Sequence, residues 1–156
     1  MKKTVLAVLA SAAFPLLAAA EISGVVVWSA SELKAFGKKL APKVNEKKLA
    51  IERLAAFGNH STLVGHRAGD GESELHETQA DFFVVQSGEA TLVVGGEVVE
   101  GKTTAPGEIR GTAIKGGERK PLAPGDIVHI PAKVPHQVLV AAGKEFTYFV
   151  IKVDTP

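Results

Sequence analysis

Two short segments hold the side chains best suited to chemistry. In Glu72–Gly88, Glu74 and His76 stand two residues apart and so project to one side of a strand, while Asp81 opens the next apolar run after Thr78-Gln79-Ala80. In Pro124–Val138, Pro131 and Pro135 each fix a backbone φ, which suits a stretch that must hold the side chain of His136 steady. Two imidazoles with one or two carboxylates form a nitrogen and oxygen set for Fe(II), Mn(II), Ni(II) or Zn(II), with coordination positions left for water or substrate. Taken one at a time these residues also have ordinary readings. An isolated histidine is more often a surface or structural group, and Glu74, Glu77 and Asp81 would serve equally to solvate a loop. The chain contains no cysteine, so thiolate zinc sites, iron–sulfur ligation, disulfides and a cysteine nucleophile are all excluded.

The elements that must position these residues are short strands. From Gly58 to Gly125 the chain carries 13 of its 16 glycines and alternates β-branched or aromatic runs with turn residues, the pattern of a sandwich or barrel. The strands predicted are 61–68, 72–77, 81–86, 90–94, 109–114, 118–122, 126–130, 136–140 and 145–153. Gly95-Gly96 is predicted to turn a hairpin between Leu92-Val93-Val94 and Val98-Val99, and Gly116-Gly117 to close a second. Ahead of this region, Ser29–Ala56 reads as a helical preface: a capped helix begins after Ser29 or Ser31, carries Leu33, Phe36 and Leu40 at helical spacing, and is stopped by Pro42.

At the two chemical segments the sequence resembles the cupin superfamily, in particular its small single-domain members. The first cupin motif runs roughly G-x5-H-x-H-x(3,4)-E-x6-G, against Glu74-x-His76-x4-Asp81-x6-Gly88 here, with Gly69 one residue out of step at the front. The second runs G-x5-P-x-G-x2-H-x3-N, against Gly125-x5-Pro131-x-Lys133-x2-His136-x3-Val140. The resemblance covers residues 58 to 153 and implies an all-β, double-stranded β-helix (jelly-roll) barrel with one divalent metal inside. It implies metal ligation by Glu74, His76, Asp81 and His136. Glu74 stands where the family has its first histidine and Asp81 where it has glutamate, so either carboxylate could ligate, or Glu74 could act as a catalytic base beside the metal. Lys133 and Val140 replace residues that shape the turn and strand.

His60, Thr62, Val64 and His66 share one strand face, and His66 is the one of them expected to meet a substrate if that face lines the barrel. His129 reads as a partly exposed strand residue, and Phe82, Phe83, Phe146, Tyr148 and Phe149 as core or wall. Tyr148 offers a hydroxyl to the interior only if its face turns inward. Trp28 is expected to cover one end of the barrel. The long segment between the motifs, Glu100 to Glu108, is expected to form a rim, a lid or a contact with a second copy of the chain, with Lys102 and Arg110 as solubilising cations.

The first 20 residues read as a secretory signal: Lys2 and Lys3, an apolar run broken by Pro15, and Ala18-Ala19-Ala20 before Glu21. A membrane anchor would need about 20 continuous apolar residues. The expected organisation is therefore residues 1–20 as signal peptide, 21–57 as preface and 58–156 as the barrel, exported to the periplasm or the medium and free of the membrane after cleavage. Eighteen basic and 17 acidic residues with no like-charge block argue against a nucleic-acid partner. No G-x-G-x-x-G or G-x-S-x-G occurs, which removes the minimum chemistry for dinucleotide binding and serine hydrolysis. The expectation is a metal-dependent enzyme acting on a small organic molecule, of dioxygenase, isomerase or lyase type. The alternative is a non-catalytic module that binds a sugar or other small ligand.

Overall fold

The computed structural model describes residues 24–156, so the signal peptide expected over residues 1–20 lies outside the described residues. Among the described residues no helix is long and apolar enough to cross a membrane. Within the described residues one α-helix, α1 (Ala30–Leu40), precedes thirteen strands: β1 (Leu49–Ala56), β2 (His60–Arg67), β3 (Ser73–His76), β4 (Gln79–Gly88), β5 (Ala90–Val94), β6 (Glu97–Val99), β7 (Lys102–Ala105), β8 (Glu108–Gly111), β9 (Ala113–Lys115), β10 (Glu118–Leu122), β11 (Ile127–Ile130), β12 (His136–Leu139) and β13 (Phe146–Asp154).

The strands pair antiparallel into a five-stranded sheet, β1-β2-β13-β4-β11, and a six-stranded sheet, β10-β5-β12-β3-β8-β7, with β6 and β9 forming a two-stranded extension. Alternate residues of the two larger sheets face each other across an interior. Leu63, Phe83, Val85, Leu92, Ile130, Val138, Val140, Phe146, Tyr148 and Val150 fill one part of it with apolar side chains. Burial of that many large apolar groups is the main stabilising contribution in a chain without disulfides. The polar end of the same interior is the candidate site.

Helix α1 starts where Ser29 and Glu32 form a reciprocal capping box, with Glu32 N–H donating to Ser29 Oγ at 3.2 Å and Ser29 N–H donating to Glu32 Oε2 at 2.8 Å. It ends in a single 3-10 turn containing Pro42. Leu33, Phe36 and the fully buried Leu40 seat the helix on Val64 and Phe149, on the outer face of the five-stranded sheet. Trp28 packs there too, 5.5 Å from the ring of Phe149. It covers the sheet's outer face and not, as expected, an end of the barrel.

The preface is not helical throughout. Leu49–Ala56, rich in good helix formers, is strand β1, paired with β2 from Leu49↔Arg67 to Ala56↔Ser61 through a bulge between Arg53 and Ala55. Backbone pairing to a buried neighbour overrides intrinsic propensity here. Leu49, Ile51 and Arg53 line the cavity mouth, so the barrel begins at Leu49.

Neither double glycine closes a hairpin. Val94 pairs with Glu118 and Glu97 with Lys115, placing Gly95-Gly96 directly opposite Gly116-Gly117. All four glycines have positive φ between 72° and 82°. A Cβ on Gly96 would come within 2.5 Å of Lys115 O, and one on Gly117 within 2.8 Å of Val94 O. The two pairs therefore bend one long antiparallel ribbon, β5-β6 against β9-β10, out of the six-stranded sheet.

Candidate metal centre

The site is a set of cross-strand neighbours. On the six-stranded sheet His136 of β12 pairs with Glu74 of β3, Glu74 pairs with Arg110 of β8, and His76 pairs with Glu108. On the facing sheet Asp81 of β4 pairs with Lys152 of β13. Period two then sends Glu74, His76, His136, Arg110, Glu108, Asp81, Lys152, Arg67 and Tyr148 to the interior. All of them except His76 line one cavity of about 440 Å3 directly, and His76 lies behind its neighbours at 2% exposure.

Glu74, His76 and His136 each offer a ligand atom, and these atoms lie within 4.8 Å of one another. His136 Nδ1 lies 3.1 Å from the carbonyl oxygen of Val134, to which it can only donate. The lone pair is thereby placed on Nε2, which is buried and has no hydrogen-bond partner among the described residues. A buried, unpartnered imidazole nitrogen is costly unless something binds it. His76 Nδ1 lies 2.8 Å from Glu108 Oε1, the carboxylate–histidine arrangement that orients a metal-ligating ring and leaves its Nε2 for the metal. Two imidazole nitrogens and a carboxylate fit a divalent first-row metal, with Asp81 Oδ2 3.3 Å from His76 Nε2 and 3.7 Å from His136 Nε2 as a further oxygen.

Lys152 complicates this donor set. Its Nζ donates to Asp81 Oδ1 at 2.8 Å and Oδ2 at 3.1 Å, and lies 3.0 Å from His76 Nε2. Glu74 is held on both sides, by Arg67 at 3.2 Å and Arg110 at 3.1 Å. Arg110 in turn reaches Glu108 Oε2 at 2.9 Å, and Arg67 Nε donates to Tyr148 Oη at 3.1 Å. Gly65 makes room for that tyrosine, since a Cβ there would lie 2.9 Å from its ring.

The electrostatics follow from these neighbours. Burial pushes the Glu74 carboxyl up, but His76, Arg110, His136 and Arg67 prevail and hold it well below the usual carboxylate range. Burial likewise raises Asp81, and His76 and Lys152 outweigh it to leave the group lowered. Burial disfavours a charged His76, yet the Asp81 and Glu74 carboxylates, 3.3 and 3.6 Å from its Nε2, raise its pKa to about 9, with Lys152 opposing. For His136 burial wins over Glu74 and Asp81, and its pKa is lowered, which keeps the ring neutral. The carboxylates thus create a field at His76 Nε2 that favours a cation there, whether proton, ammonium or metal ion.

Of the residues expected from the sequence, Glu74, His76, Asp81 and His136 converge. His66 does not join them. It projects from the opposite face of β2, is 1% exposed, and has Nδ1 2.9 Å from Thr147 Oγ1 on the outer side of the sheet. The inward residues of β2 are the odd-numbered ones, Ser61, Leu63, Gly65 and Arg67. Arg110, expected to be a solubilising cation, lies inside the site. His129 is exposed as expected and stacks on Phe82 at 4.5 Å. Arg67, Glu108 and Lys152 carried no sequence signal, because each is a single ion in an ordinary strand that registers with the site only after folding.

No protein-family model matches the sequence and no curated protein aligns with it, whereas solved structures do. An uncharacterized conserved protein with a double-stranded β-helix domain from Klebsiella pneumoniae subsp. pneumoniae superposes with a TM-score of 0.54 at 17% identity, over 81% of this chain and 88% of that one. The protein TT1209 from Thermus thermophilus gives a TM-score of 0.54 at 21% identity, covering 76% and 94%. This chain has the cupin fold. At greater sequence distance the Streptomyces protein PAC13, solved with uridine, gives a TM-score of 0.51 at 7% identity over 72% and 74% of the two chains. Identities this low concern the fold alone. The chemistry of this barrel has to be argued from its own side chains.

Proposed function

We propose that this cupin holds one divalent metal through Glu74, His76 and His136, and that it acts on a small organic molecule enclosed in the same cavity. The observation that carries the reading is the buried Nε2 of His136, which has no hydrogen-bond partner among the described residues and faces Glu74 and His76 from a neighbouring strand. When bound, such a metal supplies Lewis acidity or, as Fe(II), an open position for oxygen. The protein's own groups do the rest. Arg67 and Arg110 keep Glu74 ionised, which favours a fixed anionic ligand over a carrier of protons. Glu108 orients His76, and Tyr148 closes the interior behind Arg67. The walls from Leu63, Phe83, Val138 and Val150 are apolar, so a bound molecule is drawn out of water beside the charged groups.

The test is to strip the protein of metal, restore Mn(II), Fe(II), Ni(II) or Zn(II) one at a time, and assay a panel of small acids, sugars and phenols. Turnover that depends on one metal and is lost in Glu74→Gln supports the enzyme. Reversible binding of a panel member without product would favour the ligand-binding module instead. Turnover that survives both metal removal and the substitution contradicts the reading.

We also infer export, from Lys2-Lys3, the apolar run broken by Pro15 and the alanines at 18 to 20. Mass spectrometry of the native protein is expected to find Glu21 at the amino terminus. Recovery of intact Met1 in the membrane fraction would contradict cleavage.

A further inference from the structure

We infer that Lys152 is a resident cation of the metal centre, occupying the position that a metal ion must take, so that the metal and the lysine ammonium exclude each other. The inference rests on the metal reading above and adds a residue that limits metal affinity. Its basis is geometric. Lys152 Nζ lies 3.0 Å from His76 Nε2 and 2.8 Å from Asp81 Oδ1. The other ring nitrogen of His76 is engaged by Glu108 at 2.8 Å, so Nε2 is the nitrogen left for a metal. A first-row metal sits about 2.0–2.1 Å from an imidazole nitrogen, along its lone pair. Lys152 Nζ, 3.0 Å from that nitrogen and 2.8 Å from Asp81 Oδ1, stands in the space between these two ligand atoms that a metal bound by them would need, so the two cations cannot be there together.

The position of Lys152 is built into the fold. It faces Asp81 directly across the β13–β4 ladder, and this register continues through Val150↔Phe83 and Val153↔Ala80. Its side chain is 18% exposed and that of Asp81 is 3%, so the ion pair lies inside the barrel wall. In the metal-free protein the ammonium neutralises part of the negative field of Asp81 and Glu74. Metal binding must break its contact with His76 Nε2 and send the ammonium into the cavity, where Ser61 of β2 is its cross-strand neighbour. Lysine has four rotatable side-chain bonds and can make this movement without the backbone.

The experiment measures the affinity of metal-free protein for Mn(II), Ni(II) and Zn(II), by competition with a chromogenic chelator, in the wild type, Lys152→Met, Lys152→Gln and His136→Ala. Lys152→Met removes the competing charge and keeps an unbranched side chain only one atom shorter. It is expected to bind at least one of these metals about tenfold or more tightly than wild type, the size of one charge-assisted hydrogen bond no longer surrendered. His136→Ala is expected to lose that binding. Equal or weaker binding in both folded lysine variants, with binding still lost in His136→Ala, overturns the competition and leaves the metal reading intact. No metal bound by any protein overturns both.

A wild-type measurement guards against variants that fail to fold. Lys152 is mapped by amine acylation and mass spectrometry at fixed pH, with and without metal. Its labelling is expected to rise severalfold on metal binding as the ammonium leaves Asp81 and His76, while that of Lys39 stays constant. Unchanged labelling of Lys152 at saturating metal contradicts the displacement.

Discussion

Glu108 Oε1 at 2.8 Å from His76 Nδ1 determines which edge of the His76 ring faces the cavity. Glu108→Ala should therefore weaken metal binding by roughly 10- to 100-fold. Glu108→Gln keeps an acceptor for Nδ1 and should lose less, a difference readable by chelator competition. His66 makes a separate prediction, away from the metal. Burial lowers its pKa, and Glu145, 3.9 Å away on the surface, does not compensate. A histidine depressed in the folded state binds protons more readily when unfolded, so its contribution is complete above its ordinary value of about 6.5 and is lost as pH falls through the lowered one. Melting temperatures of wild type and His66→Asn, which retains a polar group towards Thr147, should converge as pH falls from about 7.5 to 5. A constant difference across that range would remove His66 from the acid response. Glu74, His76, Asp81 and His136 were legible in the sequence because strand alternation and motif spacing act over a few residues. The partnership of Lys152 with Asp81 spans 71 positions and exists only through sheet register. His66 was misplaced for a related reason: alternation groups it with His60, Thr62 and Val64 but cannot say which face is inward.

The element that delivers His136 includes a residue in an unfavourable conformation. Lys133, where the resembling motif has glycine, adopts φ 65°, and its N–H donates to His76 O at 2.7 Å, tying the turn before β12 to strand β3. A left-handed backbone costs a residue with a Cβ about 1–2 kcal/mol, so Lys133→Gly should recover part of it, roughly 1 kcal/mol, and raise the melting temperature by a few degrees. An unchanged or lower melting temperature would show that the lysine side chain contributes more than the backbone strain takes away. Most strands could be read at this scale because β-branched runs between glycines are a local signal. Strand β1 could not, since Leu49–Ala56 has helix-forming residues and becomes extended only against β2. The double glycines marked breaks in the strands but not the hairpins expected of them. They could not announce that the two breaks would face each other and bend a ribbon, because that depends on the β5–β10 and β6–β9 pairings.

Across the molecule as a whole, two sheets enclose an apolar interior at one end and a dense group of charges at the other. Glu74, Asp81 and Glu108 are balanced there by Arg67, Arg110 and Lys152, and buried charges are tolerated when they are paired or bind a metal. The resemblance to cupins made the barrel and the expectation of a metal site readable from two motifs. The balancing cations, and so the competition between metal and lysine, required the fold. Everything proposed for the cavity depends on a divalent metal held by His76 and His136. Metal emission analysis of the purified native protein beside His76→Ala/His136→Ala, with both proteins shown to be folded, is the decisive measurement. Close to one divalent metal ion per wild-type chain and almost none in the double variant is the predicted result; equal metal content in the two proteins would refute metal binding at these histidines.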